Sequence, residues 1–220
     1  MLMKLSFPKL LMLALICTAL TATTVGSLQA AETQAKDPHA KHRAMMEKSQ
    51  AAEAVTSDVD LRDNSLITRH GDVVRFKTDV VGDRIVVIDF IYTTCTTVCP
   101  VLSAVFQQVQ QGLDADAEVG LVSISVDPLR DTPQRLFDYA DRLGAGDNWI
   151  WLTGEKTSMD DVLRGLGAYT PDFEDHPAMV LVGDPQSGTW KRFFGFPSPK
   201  KILTAVDEMT ANRKMANAQP

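Results

Sequence analysis

Two segments of the chain, residues 84–92 and 119–126, are almost continuously apolar and rich in β-branched side chains. Such runs are typical of central strands that are covered on both faces of a sheet. Between them, the apolar residues of 100–112 recur at the spacing of one helical face, which predicts an amphipathic helix. The succession of strand, helix and strand indicates that the two strands pair in parallel.

The rest of this region alternates in the same way, with shorter elements. A further helix is predicted at 131–143, because Thr132 is a good N-cap and Pro133 is tolerated in a first turn. Residues 184–188 have the composition of a hairpin turn between two late strands. The remaining predictions are strands at 73–76, 149–152, 178–182 and 189–194, a helix at 158–166 that Ser158 would cap, and a helix at 199–211.

This order of elements predicts an α/β fold. Alternating strands and helices produce parallel pairs, and the final hairpin adds antiparallel strands to the same sheet. We therefore expect a thioredoxin-like domain, in which a mixed central sheet is flanked by helices on both faces. Its expected limits are residues 58–212, followed by a flexible tail at 213–220.

The first 30 residues predict an export signal that is separate from this domain. Lys4 and Lys9 precede a short apolar run, and Ala30 ends a segment with the composition of a cleavage site. A retained anchor helix is the alternative, although the strongly apolar run is short for a bilayer span. We expect a periplasmic or otherwise exported protein that touches a membrane only through this segment, if the segment stays uncleaved.

Residues 31–57 are polar and rich in alanine, which predicts a flexible lead segment. The segment contains His39, His42, Met45 and Met46, whose side chains are soft or borderline metal ligands. Short tracts of this kind support only a compositional prediction, and we favour a solvated linker.

Overall composition excludes several classes of function. Hydrophobic residues make up 45% of the 220 residues and charged residues 23%, as in a globular protein and unlike a membrane bundle. The net charge is −6, and lysines and arginines are scattered rather than gathered into a stripe. We therefore expect no nucleic-acid partner.

Cys95 and Cys99 would be the only cysteines left after removal of the export signal, which contains Cys17. Only three residues separate the two cysteines, and a disulfide that closes so short a loop adds little stability. Redox or metal chemistry therefore explains the pair better than a structural disulfide or buried structural thiols. They lie where a central strand ends and a helix begins, at the carboxyl ends of the strands, where α/β folds usually have their binding and active sites. The helix N-terminus favours thiolate, which predicts a lowered pKa for at least one of the two.

A metal site at this pair needs further ligands. Two thiolates select Cu(I), zinc or an iron–sulfur cluster, and two ligands are too few for a closed zinc site. His70 lies in a polar turn, where a surface side chain is expected. His176 precedes the strand at 178–182, on the loop that faces the cysteine helix in a thioredoxin-like domain. We predict that His176 is the third ligand, oriented by Asp175 and next to a cis peptide bond at Pro177.

Four segments together resemble the Sco/SenC family of copper-binding, thioredoxin-like proteins. They are residues 90–100 (FIYTTCTTVCP), 125–133 (SVDPLRDTP), 152–154 (LTG) and the dipeptide Asp175-His176. The likeness spans about residues 58–212. Asp127 and Asp131 of the second segment are expected first to form a turn and a helix start, and second to support the metal ligands from around the site. The stretch between Thr170 and His176 is short, so a partner-facing loop seen in some members is trimmed here.

The resemblance implies that Cys95, Cys99 and His176 bind copper, as Cu(I) or Cu(II). It also implies a metallochaperone that delivers copper to, or reduces the cysteines of, the dinuclear copper centre of cytochrome c oxidase, with an oxidase subunit as partner. Two other functions stay open. A thiol–disulfide oxidoreductase would use Cys95 and Cys99 as a catalytic redox pair on exported client proteins. A peroxidase of the peroxiredoxin kind would explain Thr93-Thr94-Cys95 after a strand, but the nearby second cysteine argues against it.

Overall fold

The computed structural model describes residues 54–114 and 118–218 of the chain. Its strands are β1 Val55–Thr56, β2 Ser65–Thr68, β3 Val73–Arg75, β4 Ile85–Ile91, β5 Val119–Ser125, β6 Trp149–Thr153, β7 Met179–Asp184 and β8 Thr189–Phe194. Its helices are α1 Val98–Gly112, α2 Pro133–Arg142, α3 Lys156–Gly165 and α4 Pro199–Asn217, with a π-helical turn at Phe76–Val81 and a 3₁₀ turn at Phe173–Asp175. All eight strands belong to one sheet, in the order β1-β8-β7-β4-β5-β6-β2-β3.

The centre of this sheet is parallel and its flanks are antiparallel. β4 pairs in parallel with β5, from Ile85 opposite Val119 to Ile91 opposite Ser125, and β5 pairs in parallel with β6. The predicted hairpin of β7 and β8 adds to the other side of β4 in the antiparallel sense. The predicted α/β fold, a mixed thioredoxin-like sheet with helices on both faces, is confirmed.

Alternate residues of the central strands face two separate hydrophobic layers. Val87 and Ile91 of β4 pack in the layer that contains α1, α2 and α4, and both cysteines belong to this layer. Ile88 and Phe90 of the same strand point to the other face, where they pack with α3 and the π-helical turn. A strand that is buried on both faces needs apolar side chains on both, which explains the almost continuously apolar sequence of β4.

Two short strands were missing from the prediction. β2 has only four residues, too few for its alternation to be recognised, and it joins β3 to the edge of β6. β1 has two residues and pairs with β8, so the sheet begins before the expected limit at residue 58.

The last helix continues beyond its expected end. α4 reaches Asn217, so residues 213–217 are helical where a flexible tail was expected. Arg213 lies in the added turn and forms a salt bridge with Asp184, whose side chain is buried at the end of β7. This contact attaches the end of the helix to the sheet.

Of the two predicted helix N-caps, one is confirmed and one is wrong. The Thr132 hydroxyl accepts the N–H of Arg135 at 3.3 Å and caps α2 as predicted. Ser158 does not cap α3, because the helix begins at Lys156. A salt bridge of 2.6 Å between Lys156 and Asp160 supports this earlier start.

The predicted export signal lies outside the described residues, as do His39, His42, Met45 and Met46 of the lead segment. Among the helices at 54–114 and 118–218, none is long and apolar enough to cross a membrane.

Candidate metal and redox site

Cys95 lies in the turn that joins β4 to α1, and Cys99 lies next to it in the first turn of α1. Both are free thiols, and their exposed fractions are 7% and 3%. The N–H of Cys99 donates to the sulfur of Cys95 at 3.3 Å. Thr97 at the N-cap of α1 makes no side-chain capping bond with any described residue, so the Cys95 sulfur accepts an N–H that the helix start would otherwise leave unpaired.

The two cysteines differ in acidity. Burial by itself would raise the pKa of Cys95, but hydrogen bonding from Cys99, from the Thr97 backbone and from the nearby Tyr92 side chain lowers that pKa to about 7. Burial and the adjacent Cys95 raise the pKa of Cys99 above that of an ordinary thiol. Cys95 is therefore the more acidic of the two thiols and is partly ionised at neutral pH, whereas Cys99 stays protonated. This confirms the prediction of one lowered pKa.

Asp131 holds the beginning of the cysteine turn. Its buried carboxylate accepts the Thr93 N–H at 3.1 Å, the Thr93 hydroxyl at 2.5 Å and the Ser125 hydroxyl at 2.6 Å. Burial raises the pKa of Asp131 in spite of these bonds. The helix start that was expected here is formed by the next residue, Thr132. The Asp131 carboxylate instead links the end of β4, through Thr93, to the end of β5, through Ser125.

Asp127 forms the turn that was expected of it. Its carbonyl accepts the N–H groups of Arg130 at 3.1 Å and Asp131 at 2.9 Å, and its carboxylate forms a salt bridge of 3.0 Å with Arg130. All three of these contacts lie within the segment between β5 and α2. Asp127 therefore shapes this loop next to the cysteine turn.

Asp89 is a buried carboxyl group in the middle of β4, and the sequence analysis did not single it out. It is fully buried on the cysteine face of the sheet, between Val87 and Ile91. Its Oδ1 accepts the Ser123 hydroxyl at 2.5 Å, whereas its Oδ2 has no partner among the described residues. Burial raises the pKa of Asp89 to about 7. The available signal was an acidic residue inside an otherwise apolar strand.

His176 follows the 3₁₀ turn and packs against Phe90, with ring centroids 5.4 Å apart. Phe90 belongs to the hydrophobic layer on the face of the sheet away from the cysteines. Both ring nitrogens are buried, and neither has a hydrogen-bond partner in the part of the chain that the structure describes. Burial lowers the pKa of His176 to about 4, against an opposing effect of the nearby Ala168 backbone. The imidazole is therefore neutral at neutral pH.

Two predictions about this loop are wrong. Asp175 does not orient the imidazole, because neither ring nitrogen accepts or donates a hydrogen bond within the described chain. Pro177 does not follow a cis bond, because every peptide bond at 54–114 and 118–218 is trans. His176 has the extended conformation that a residue before proline favours, with φ −61° and ψ 121°, so the loop enters β7 without the less stable isomer.

The structure thus brings together two of the three predicted ligands. Within residues 54–114 and 118–218, no group of three or more His, Cys, Asp or Glu side chains is placed to hold a metal ion. The donor chemistry nevertheless suits copper: one thiolate, one neighbouring thiol and a neutral imidazole whose nitrogens are unused. His70 is exposed and accepts a hydrogen bond from Arg69, as expected of a surface histidine.

Tyr92 and Phe173 are two further residues at the site that the sequence analysis did not single out. Burial and the adjacent Cys95 raise the pKa of Tyr92 to about 12, so its phenol stays protonated beside the thiolate. The Tyr92 ring contacts the ring of Phe173 with centroids 5.1 Å apart. No sequence pattern signals this contact, because the two residues are 81 positions apart in the sequence.

A thioredoxin-like domain with a thiolate and a thiol at the start of a helix defines a class of thiol-dependent redox and metal-binding proteins. Within that class, the chain belongs to the SCO1/SenC family, whose model matches residues 53–211. The chain is 40% identical over 138 residues to the SCO1 protein homolog of Bacillus subtilis (strain 168), a match that covers 59% of this chain and 69% of that protein. The resemblance seen in the sequence motifs is confirmed.

Solved structures of Sco proteins share the fold. BsSco, a member of the Sco family of cytochrome c oxidase assembly proteins, superposes with a TM-score of 0.60 at 23% identity, covering 71% of this chain and 96% of BsSco. ScoI of Arabidopsis thaliana with copper bound gives a TM-score of 0.55 at 23% identity, covering 70% of this chain and 99% of ScoI. At these identities the superpositions show the common architecture.

Proposed function

We propose that this protein is an exported copper metallochaperone that binds one copper ion through Cys95, Cys99 and His176. It would deliver the ion to a respiratory copper site such as the dinuclear copper centre of cytochrome c oxidase. The observation that carries the proposal is the cysteine pair of a SCO1/SenC chain, in which Cys95 has a pKa of about 7 and is available as a thiolate. Thiolates and neutral imidazole are ligands that copper favours.

Each of the three residues has a distinct part in metal binding. Cys95 is already partly deprotonated at neutral pH, whereas Cys99 must lose its proton before its sulfur can become a ligand. His176 is neutral, and it must leave its contact with Phe90 to join the sulfurs. Copper, when bound, supplies a soft cation that holds the three donors together.

Two relatives support the copper and oxidase parts of the proposal. The Arabidopsis ScoI structure contains copper, and BsSco belongs to a family of cytochrome c oxidase assembly proteins. Export is supported by the composition of residues 1–30 and by the two-cysteine content that would remain after their removal. An oxidase subunit is accordingly the client that we propose for the metal.

The test is a copper titration of the reduced full chain under anaerobic conditions. We expect uptake of one equivalent, with thiolate-to-metal absorption when the ion is Cu(II). Cys95→Ser and Cys99→Ser should each abolish this absorption, whereas His70→Ala, which changes an exposed histidine, should leave it unaltered. A chain that takes up no copper, or that retains the absorption without both cysteines, would contradict the proposal.

Thiol–disulfide reduction is a second candidate, and the unequal acidity of the cysteines favours it. The Cys95 thiolate would attack a client disulfide, forming a mixed disulfide and releasing one client thiolate. Cys99, after losing its proton, would then attack the Cys95 sulfur, which forms the Cys95–Cys99 disulfide and releases the second client thiolate. Cys99→Ser should trap the mixed disulfide on Cys95, and a peroxide-consumption assay separates this activity from that of a peroxidase.

A further inference from the structure

Phe173 connects the loop of His176 to the turn of the cysteines. Its ring lies 5.1 Å from the Tyr92 ring at an interplanar angle of 74°, an edge-to-face contact. The guanidinium carbon of Arg130 lies 5.3 Å from the centroid of the same Phe173 ring. One aromatic side chain therefore receives contacts from the end of β4 and from the segment between β5 and α2.

The two residues that contact Phe173 are held by the fold. Arg130 forms a salt bridge of 3.0 Å with Asp127, whose side chain is buried. The carbonyl of Tyr92 accepts the N–H of Cys95 at 3.1 Å, so its backbone is part of the cysteine turn. Phe173 thus packs on fixed elements, although it belongs to a loop.

Phe173 begins the 3₁₀ turn that ends at Asp175, and His176 is its C-cap. The N–H of His176 donates to the Phe173 carbonyl at 3.3 Å, and the Asp172 side chain accepts the Glu174 N–H at 3.0 Å. These bonds make residues 172–176 a compact unit. A displacement of the Phe173 backbone is therefore passed on to the backbone of His176.

We infer that Phe173 is a positioning residue for the metal site, held by Tyr92 and Arg130 so that the His176 loop stays beside the cysteine turn. The inference rests on the proposed function and adds a determinant of it that is not a ligand. A loop that is already placed loses less conformational freedom when its imidazole joins the thiolates. Groups that orient a metal ligand typically change metal affinity by about 10–100-fold.

The first test measures copper loss from the loaded, reduced full chain to an excess of a Cu(I) chelator. We expect Phe173→Ala to release copper about 10-fold faster than the wild type, at the low end of the effect of orienting groups. Phe173→Tyr keeps the ring and should retain the wild-type rate. Arg130→Gln should give a smaller acceleration of the same sign. Phe137→Ala is the matched control, because it removes another partly exposed aromatic pair, with His70.

The second test needs no metal. In the wild type, the Phe90 ring should shift the NMR signals of the His176 imidazole protons away from those of a free histidine. Phe173→Ala should move these signals toward the free values, and Phe173→Tyr and Phe137→Ala should not. This arm stays informative if the wild-type protein takes up no copper, which would contradict the proposed function alone.

The inference is overturned if Phe173→Ala leaves the imidazole signals or the rate of copper loss at its wild-type value. It is equally overturned if Phe173→Tyr behaves like Phe173→Ala, because the ring contact would then not be the cause. If Phe173→Ala does not fold, Arg130→Gln decides the question: wild-type values in both tests would contradict the inference.

Discussion

The cysteine turn and the His176 loop are the two halves of one candidate site, and different kinds of contact hold them in the fold. The cysteine turn is held by buried groups: Asp131 accepts three hydrogen bonds from Thr93 and Ser125, and the Cys95 sulfur accepts the N–H of Cys99 in the first turn of α1. The imidazole of His176 is held by packing on Phe90, with both nitrogens unpartnered among the described residues.

This difference teaches which part of the site exists before a ligand arrives. The thiolate and the thiol are already neighbours in the folded chain. A three-ligand metal site would exist only after His176 has moved. The fold therefore places the cysteine pair in advance, and under the proposed function a movement of the His176 loop would complete the metal site.

The largest expected effect concerns Asp89, beneath the cysteine turn. Its folded pKa of about 7 lies above the ordinary value of 3.8, so the folded state binds a proton that the unfolded state has lost between these pH values. Its contribution to the unfolding free energy therefore falls as pH rises from 4 to 7, by at most about 4 kcal/mol. The lowered pKa of His176 acts in the opposite sense, with stability rising as pH rises from about 4 to 6.5.

Asp89 and His176 change the unfolding free energy in opposite senses as pH rises. The measurement therefore compares Asp89→Asn with the wild type in urea unfolding from pH 4 to pH 8, so that the contribution of His176 is common to both. The unfolding free energy of the variant should rise relative to that of the wild type as pH increases. Asp138→Asn, which changes an exposed carboxylate on α2, is the control and should follow the wild type. Parallel pH curves for Asp89→Asn and the wild type would show that Asp89 keeps an ordinary pKa.

Asp131 provides the second prediction, because it makes the cysteine turn part of the folded core. Asp131→Ala leaves the Thr93 N–H and the Thr93 and Ser125 hydroxyls without their acceptor. We expect the unfolding free energy at pH 7 to fall by about 3 kcal/mol. Asp138→Ala should change it by less than about 0.5 kcal/mol in the same denaturant titration. Equal effects of the two substitutions would mean that the hydrogen bonds of Asp131 do not hold the cysteine turn in the fold.

The smallest expected effect is on the loop. His176→Leu replaces an imidazole with unpartnered buried nitrogens by an apolar side chain that can still pack on Phe90. The unfolding free energy at pH 7 should change by less than about 1 kcal/mol, because no hydrogen bond of the imidazole is lost. A destabilisation as large as that of Asp131→Ala would mean that the imidazole is a structural part of the fold.

The sequence predicted the placement of the two cysteines well, for physical reasons. Cys95 and Cys99 are close in the chain, and the apolar run before them and the helical pattern after them place them at a strand end. The central parallel strands and the final hairpin were predicted correctly because their hydrophobic patterns are long. β1 and β2 were missed because two and four residues are too few to show a pattern.

The loop half could not be predicted in the same way. His176 was placed by its position before β7, and the sequence carries no information on which face of the sheet its ring packs. The expected cis bond at Pro177 and the expected role of Asp175 came from the fold class, and the loop has neither. The contact between Tyr92 and Phe173 depends on the folded path of the chain, so only the structure reveals it.

The central claim is that His176 completes a copper site on a preformed cysteine pair. The most direct test compares the reduced wild type with His176→Ala, measuring both Cu(I) affinity by chelator competition and the potential of the Cys95–Cys99 disulfide. We predict that copper affinity falls by at least about 100-fold, the upper end of the effect of orienting groups, because a direct ligand is lost. The disulfide potential should move by less than about 30 mV. Unchanged copper affinity in His176→Ala would contradict the account.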